Sequence, residues 1–168
     1  MAISTYEDLQ SAAANWLDRT DLTSRIPEFI ALAEAAMNRQ LRVRRMVTRA
    51  TATISDAFSA LPADYLEARS VSMSDGSTAW TLDPAPPETI EDYAALGNTG
   101  RPLFFGVVGG EVRYYPIPDQ AYTATLTYYA KPPALSDTNA SNWILSEHPD
   151  AYLYGTLLAA GPYLQDQD

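Results

Sequence analysis

The chain has no cysteine. That excludes disulfides, thiolate metal sites and a cysteine nucleophile, and it makes the fold indifferent to redox conditions. Lysine is nearly missing as well, Lys131 being the only one. The single histidine, His148, has no second imidazole with which to share a metal and no sequence-near partner for a triad. It reads as a helix-start residue beside a cap. Positive charge is scarce overall: 11 Lys and Arg stand against 21 Asp and Glu, a net charge of −10. Such an excess of acid argues against general nucleic-acid binding, which draws its affinity from basic side chains displacing counterions. Long apolar runs are missing too. The longest uncharged one, Ala151 to Leu164, is interrupted by Gly161 and Pro162 and is too short to span a bilayer. Met1 to Asp8 has neither the basic nor the apolar part of a secretory signal, so none is expected. No G-x-S-x-G, P-loop or H-E-x-x-H pattern occurs, and no catalytic residue, cofactor or metal is expected.

What the chain does have is enough apolar material for a core. Its 168 residues are 46% hydrophobic and 19% charged, and 11 of them are tyrosines. The length fits one well-cored domain, or a domain with an insertion. Periodicity predicts a first helix from about Tyr6 to Asp18, opened by a Ser4-x-x-Glu7 capping box and lined by Tyr6, Leu9, Ala13, Trp16 and Leu17. A second should start near Ser24, with Pro27 in its first turn and Ile26, Phe29, Ile30, Ala33, Met37 and Leu41 on one face. Arg44 falls on that apolar side, so this helix should end or bend there.

From Val47 the period shortens to two. Strands are expected over 47–54, 66–73 and 79–82, then a short helix near 88–96. Gly109-Gly110 should turn a hairpin between 103–108 and 111–115, and 122–129 alternates cleanly enough to be a strand. Tyr114, Tyr115, Tyr128 and Tyr129 come as adjacent pairs, so one of each pair should face away from the core. A last helix should begin near Ser146 and be kinked or ended at Gly161-Pro162. The stop at Asp168 leads us to expect a natural product that continues, or a mobile tail. The fold class is therefore α+β. N- and C-terminal helices (1–46 and 143–168) pack as a small bundle, and an antiparallel β-rich region (47–142) is inserted between them.

Charge is distributed unevenly along this scheme. Residues 1–49 carry seven Arg against six acids, while residues 50–168 carry four basic residues against fifteen acids. Arg39, Arg42, Arg44, Arg45 and Arg49 gather at the end of the second helix, Arg42 and Arg45 roughly opposite its apolar stripe. One reading is a solvated helix end with weak local ion pairs. The other is a contact patch for an acidic partner, or for a second copy of this acidic chain. On that second reading, reversing charge at Arg42 and Arg45 should weaken assembly without unfolding the monomer. A carboxylate pair such as Glu88 and Asp92 leaves acid–base hydrolysis as an alternative.

Five segments, in order, resemble the head-to-tail adaptor (connector, or head completion) proteins of tailed bacteriophages, particularly the short-tailed type. They are YEDLQSAAANWLDRTDLTSRIPEFIALAEAAMNRQLRVRRM (6–46), ALPADYLEARSV (60–71), GRPLFFGVVGGEVRYYPIP (100–118), LTYYAKPPALSD (126–137) and NWILSEHPDAYLYGTLL (142–158). The specificity lies in the collinear set, since no single piece is a chemical motif. The resemblance implies a structural virion protein of the neck, made in the host cytoplasm. It would form a ring, typically dodecameric, below the portal protein. Helices would face the portal and the β-rich part the tail or nozzle protein, with genomic DNA passing through the channel without sequence-specific binding. Neither membrane nor cofactor is implied. The expected subunit or portal interface comprises Arg39, Arg42, Arg45, Arg49, Tyr152 and Leu164. A tail-associated cell-wall hydrolase and another non-enzymatic neck or tail protein are the alternatives.

Overall fold

The computed structural model describes residues 2–165. In chain order it contains α1 (Tyr6–Leu17), α2 (Ile26–Gln40), β1 (Val47–Ile54), β2 (Phe58–Ala60), β3 (Tyr65–Ser74), β4 (Ala79–Pro84), α3 (Pro87–Ala94), β5 (Phe104–Val108), β6 (Glu111–Tyr115), β7 (Tyr122–Ala130), α4 (Trp143–Glu147) and α5 (Pro149–Gln165). The chain is thus mixed α and β, with five helices and one seven-stranded sheet among the described residues. It divides into two compact units, Met1–Arg42 with Pro132–Asp168, and Val43–Lys131.

The helical unit starts with a capping box, but one residue later than the sequence suggests. Thr5, not Ser4, is the N-cap of α1. Its hydroxyl accepts from the Asp8 amide, and Asp8 Oδ2 accepts from the amides of Ser4 and Thr5. Aspartate does here what the expected glutamate would do, because the shorter side chain still reaches back over one turn. The Tyr6 amide donates to Ala140 O at 2.7 Å, which ties the start of α1 to the loop before α4. A 3-10 turn over Thr20–Arg25 precedes α2, so Ser24 is no cap. Arg25 holds that position without a side-chain bond, and Pro27 falls in the first turn, where an amide donor is not needed. α2 stops at Gln40, with Arg39 in its last turn and Arg42, Arg44, Arg45 and Arg49 beyond it.

The last helix also differs from expectation. Asn142 caps a short α4, accepting from the Leu145 amide, and α5 begins afresh at Pro149. It runs through Gly161 and Pro162 to Gln165 instead of ending there. Residues 166–168, where a continuation or tail was expected, lie outside the described residues. Leu9, Ala13, Ile26, Ile30, Ile144, Leu145, Tyr152 and Leu153 form one buried cluster in this unit.

In the other unit the strand order is β1-β7-β3-β4-β5-β6-β2. β7 alternates, with Tyr122, Ala124, Leu126 and Tyr128 buried, and it pairs along its length with β1 and β3. The sheet is not purely antiparallel: β4 and β5 run parallel, Asp83 opposite Phe104. A parallel pair needs a crossover, and α3 supplies it. Gly109 and Gly110, with φ of +60° and +91°, make the tight turn between β5 and β6 that the sequence predicts. The three-residue β2 pairs with β6 and is too short for its period to be read. Residues from β1, β3, β4, β5, β6 and β7 share one buried cluster, so the sheet rolls around its own core.

Tyr114 and Tyr115 are both buried, at 4% and 7% exposure, against the expectation that one would face outward. The physical reason is α3, which covers the second face of β5 and β6. Tyr93 of α3 stacks on Tyr115 with ring centroids 5.5 Å apart, and Asn98 Nδ2 donates to the Tyr115 hydroxyl. Gly106 on β5 permits this approach: a β-carbon there would stand 2.7 Å from Ile90 Cδ1 and 3.0 Å from Ala85 O. Gly106→Ala is expected to destabilise the protein by about 1–3 kcal/mol through overpacking. Urea denaturation checks this. An unchanged midpoint would mean that α3 is free to shift off the sheet.

Candidate interaction surface

Between Asp150 and Asp166 the sequence has no charged residue, and α5 occupies nearly all of that interval. A helix without a polar face is one that other structure covers all round. One side of α5 meets this condition, with Tyr152, Leu153, Thr156 and Ala160 buried. The other does not: Tyr154 is 52% and Leu158 78% exposed. α2 presents Leu32 beside them, 56% exposed. Gly155 lets the two helices close up, since a β-carbon there would lie 3.3 Å from Ala33 Cβ. The result is an open groove of about 630 Å³ whose walls include Leu32, Met37, Leu41, Tyr154 and Leu158. Among the described residues, Arg39 is the one charged residue lining it. Trp16 of α1, 60% exposed, sets its ring edge-on to Tyr154 at 5.9 Å and extends the apolar face. Contiguous apolar surface of this kind marks interaction sites.

Beneath the groove lies a polar network. The Tyr152 hydroxyl donates to Glu34 Oε1 at 2.9 Å and accepts from Asn142 Nδ2 at 2.6 Å. Glu34 Oε1 also accepts from the Leu135 amide, and Asn142 Nδ2 also donates to Pro133 O. α2, α5 and the loop before α4 are thereby locked together by three side chains, Glu34, Asn142 and Tyr152. Burial, and then the neighbouring Glu34 carboxylate, push the Tyr152 phenol well above its ordinary range. In the other unit burial pushes Tyr128 up to about 12, helped by its bond to Asp64. Both folded-state phenols hold their protons more tightly than the unfolded chain does. Their contribution is therefore complete below the ordinary tyrosine value of about 10 and is lost as pH rises beyond it. Stability is expected to fall steeply above about pH 10. Tyr128→Phe should flatten part of that fall in urea titrations at pH 8 and 11. An identical pH slope in this variant would remove Tyr128 from the account.

The arginines that stand together in the sequence are divided between the two compact units. Arg39 is exposed at the groove, in the last turn of α2. Arg42 closes that helix: its Nη1 donates to Asn38 O at 2.9 Å and Leu41 O at 2.7 Å. Reversing its charge would loosen the helix end as well as alter the surface, so Arg39 is the cleaner probe. Arg45 lies in a 3-10 turn, and Arg49 on β1 sits opposite Thr127; both belong to the β unit. Tyr152 is 1% exposed, and its hydroxyl is bonded inside the helical unit. Leu164 is half-buried near the end of α5. The uneven charge along the sequence does not follow the folded units either. The helical unit holds four Arg against eleven acids, the β unit seven basic residues against ten acids.

Glu88 and Asp92 stand one turn apart on the exposed side of α3, opposite buried Ile90. His148 is exposed at the end of α4. Among the described residues, no three His, Asp or Glu side chains come together in a way that could hold a metal ion. Nor is any helix among them long and apolar enough to cross a membrane. Sequence reasoning missed Leu32, Tyr154, Leu158 and Trp16 as surface residues. The signal that could have found them is the uncharged interval itself, which leaves α5 with apolar side chains on more faces than one neighbour can bury.

No curated protein matches the chain. The model of the SU10 adaptor protein family matches residues 4–168, with the helical unit's groove and the rolled sheet both inside the match. The chain belongs to the SU10 adaptor protein family, and it is a structural adaptor component of a phage virion.

Proposed function

We propose that this chain is a ring-forming subunit of the neck, seated below the portal, which extends the DNA channel and offers the tail its attachment site. The observation that carries this reading is the uncovered apolar side of α5 with Leu32, Tyr154, Leu158 and Trp16. A helix of this composition is built to be covered, and an assembling protein supplies the cover. In the assembly α1, α2 and α5 act as one packed bundle that faces the portal, with Arg39 at a subunit or portal contact, and the β unit faces the tail. Arg45 and Arg49, on the β unit, serve contacts of their own. Both units have more acidic than basic residues. A channel of that sign repels DNA phosphates and lets the duplex slide. Contact with copies of itself and with neck partners, not chemistry on a substrate, is the activity.

Sedimentation with DNA-filled, tail-less heads tests this. Purified protein should pellet with heads that bear portal and stay in solution without them. Failure to pellet at every salt concentration tried would contradict the reading.

A further inference from the structure

We infer that the α2–α5 groove of one copy receives α3 of a second copy. The inference rests on the ring reading above and names the contact that would close it. Among the described residues, and apart from Trp16, Leu32, Tyr154 and Leu158 at the groove, the large exposed apolar side chains are Val43, Phe58, Tyr93, Leu96 and Leu103. Of these, Tyr93 lies on α3 and Leu96 just past its end, 67% exposed. The same helix presents Glu88 and Asp92 on its open side, and it carries no basic residue. The groove has the opposite character, apolar with Arg39 as its only charged lining residue among those described. Apolar surface thus meets apolar surface, and acid meets base. Two like charges one turn apart weaken an isolated helix, so Glu88 and Asp92 make sense where a cation from outside joins them. Pairing the groove with itself would instead bring two basic rims together. A contact between two different patches is heterologous, the kind that propagates and closes into rings.

The absence of cysteine confines reaction on this chain to the positions introduced. Two single-cysteine proteins are prepared, Ala151→Cys in the groove wall and Ala95→Cys at the end of α3; both positions are exposed. They are mixed, bound to portal-bearing heads and treated with a short bismaleimide. The mixture should give a one-to-one cross-linked dimer that neither protein gives alone. Arg39→Glu in the mixture should cut that product at least fivefold, and adding Glu88→Arg with Asp92→Arg should restore it. Self-cross-linking of the Ala151→Cys protein would overturn the inference in favour of a groove paired with itself. A product joining Ala151→Cys to a head protein, in place of the dimer, would overturn it in favour of that partner. Pelleting is read separately. Pelleting without the mixed dimer overturns this contact and leaves the adaptor reading standing. The mixed dimer without pelleting supports the contact and counts against the portal. Loss of both overturns both.

Discussion

Tyr152→Ala is expected to lower the unfolding free energy by about 3–5 kcal/mol, the range for removing a large buried aromatic side chain. Against the total stability of a domain of this size, about 5–15 kcal/mol, that loss is large enough to unfold the helical unit in part at 37 °C. Two effects add. The ring leaves a cavity among Ile30, Ile144 and Leu145, which belong to the same buried cluster. The lost hydroxyl leaves the half-buried Glu34 carboxylate with one donor fewer, and the buried Asn142 amide with one acceptor fewer. Tyr152→Phe isolates the second effect and should cost about 1–3 kcal/mol. Urea denaturation followed by tryptophan fluorescence reads both, since Trp16 and Trp143 lie in this unit. If Tyr152→Phe unfolds like the parent, the network adds no stability and the cavity alone explains the alanine variant.

Leu158→Glu should do the reverse: leave the fold alone and abolish assembly. The side chain is 78% exposed, and substitutions at such sites usually change stability by less than about 0.5 kcal/mol. In an assembled contact, however, the glutamate would be a charge held against apolar surface without a partner. A penalty of about 3 kcal/mol per contact is the expected scale, roughly a hundredfold in affinity. Arg39→Glu should act in the same direction but more weakly, because a rim charge exchanges with water and salt. Unaltered circular dichroism with lost head binding is the expected pair of results for Leu158→Glu. Normal binding would mean that the groove stays open to water in the virion.

The elements that were legible in the sequence are those whose pattern is set by one neighbour. β7 alternates because one of its faces is buried. α2 shows a single stripe, Ile26, Phe29, Ile30 and Ala33, because one side of it is packed. The Gly109-Gly110 turn is read from backbone chemistry alone. What could not be read depends on a second neighbour. Tyr115 is buried because α3 folds over it, and no local period records that crossover. α5 carries Leu153, Leu157, Ala160 and Leu164 at helical spacing, but its other sides are apolar as well, so the spacing does not tell the covered side from the open one. The arginines look like one cluster in sequence, yet the boundary between the compact units falls between Arg42 and Val43. A contact surface is the hardest feature to extract, because its partner is not written in the chain. Here it shows only as apolar side chains left over once the helical unit has packed.

Electron micrographs of DNA-filled, tail-less heads, taken with and without this protein, test the central claim most directly. The account predicts one added ring per particle, at a single vertex, built from several copies of the chain. Heads that look the same with and without the protein, or protein scattered over the whole shell, would contradict it.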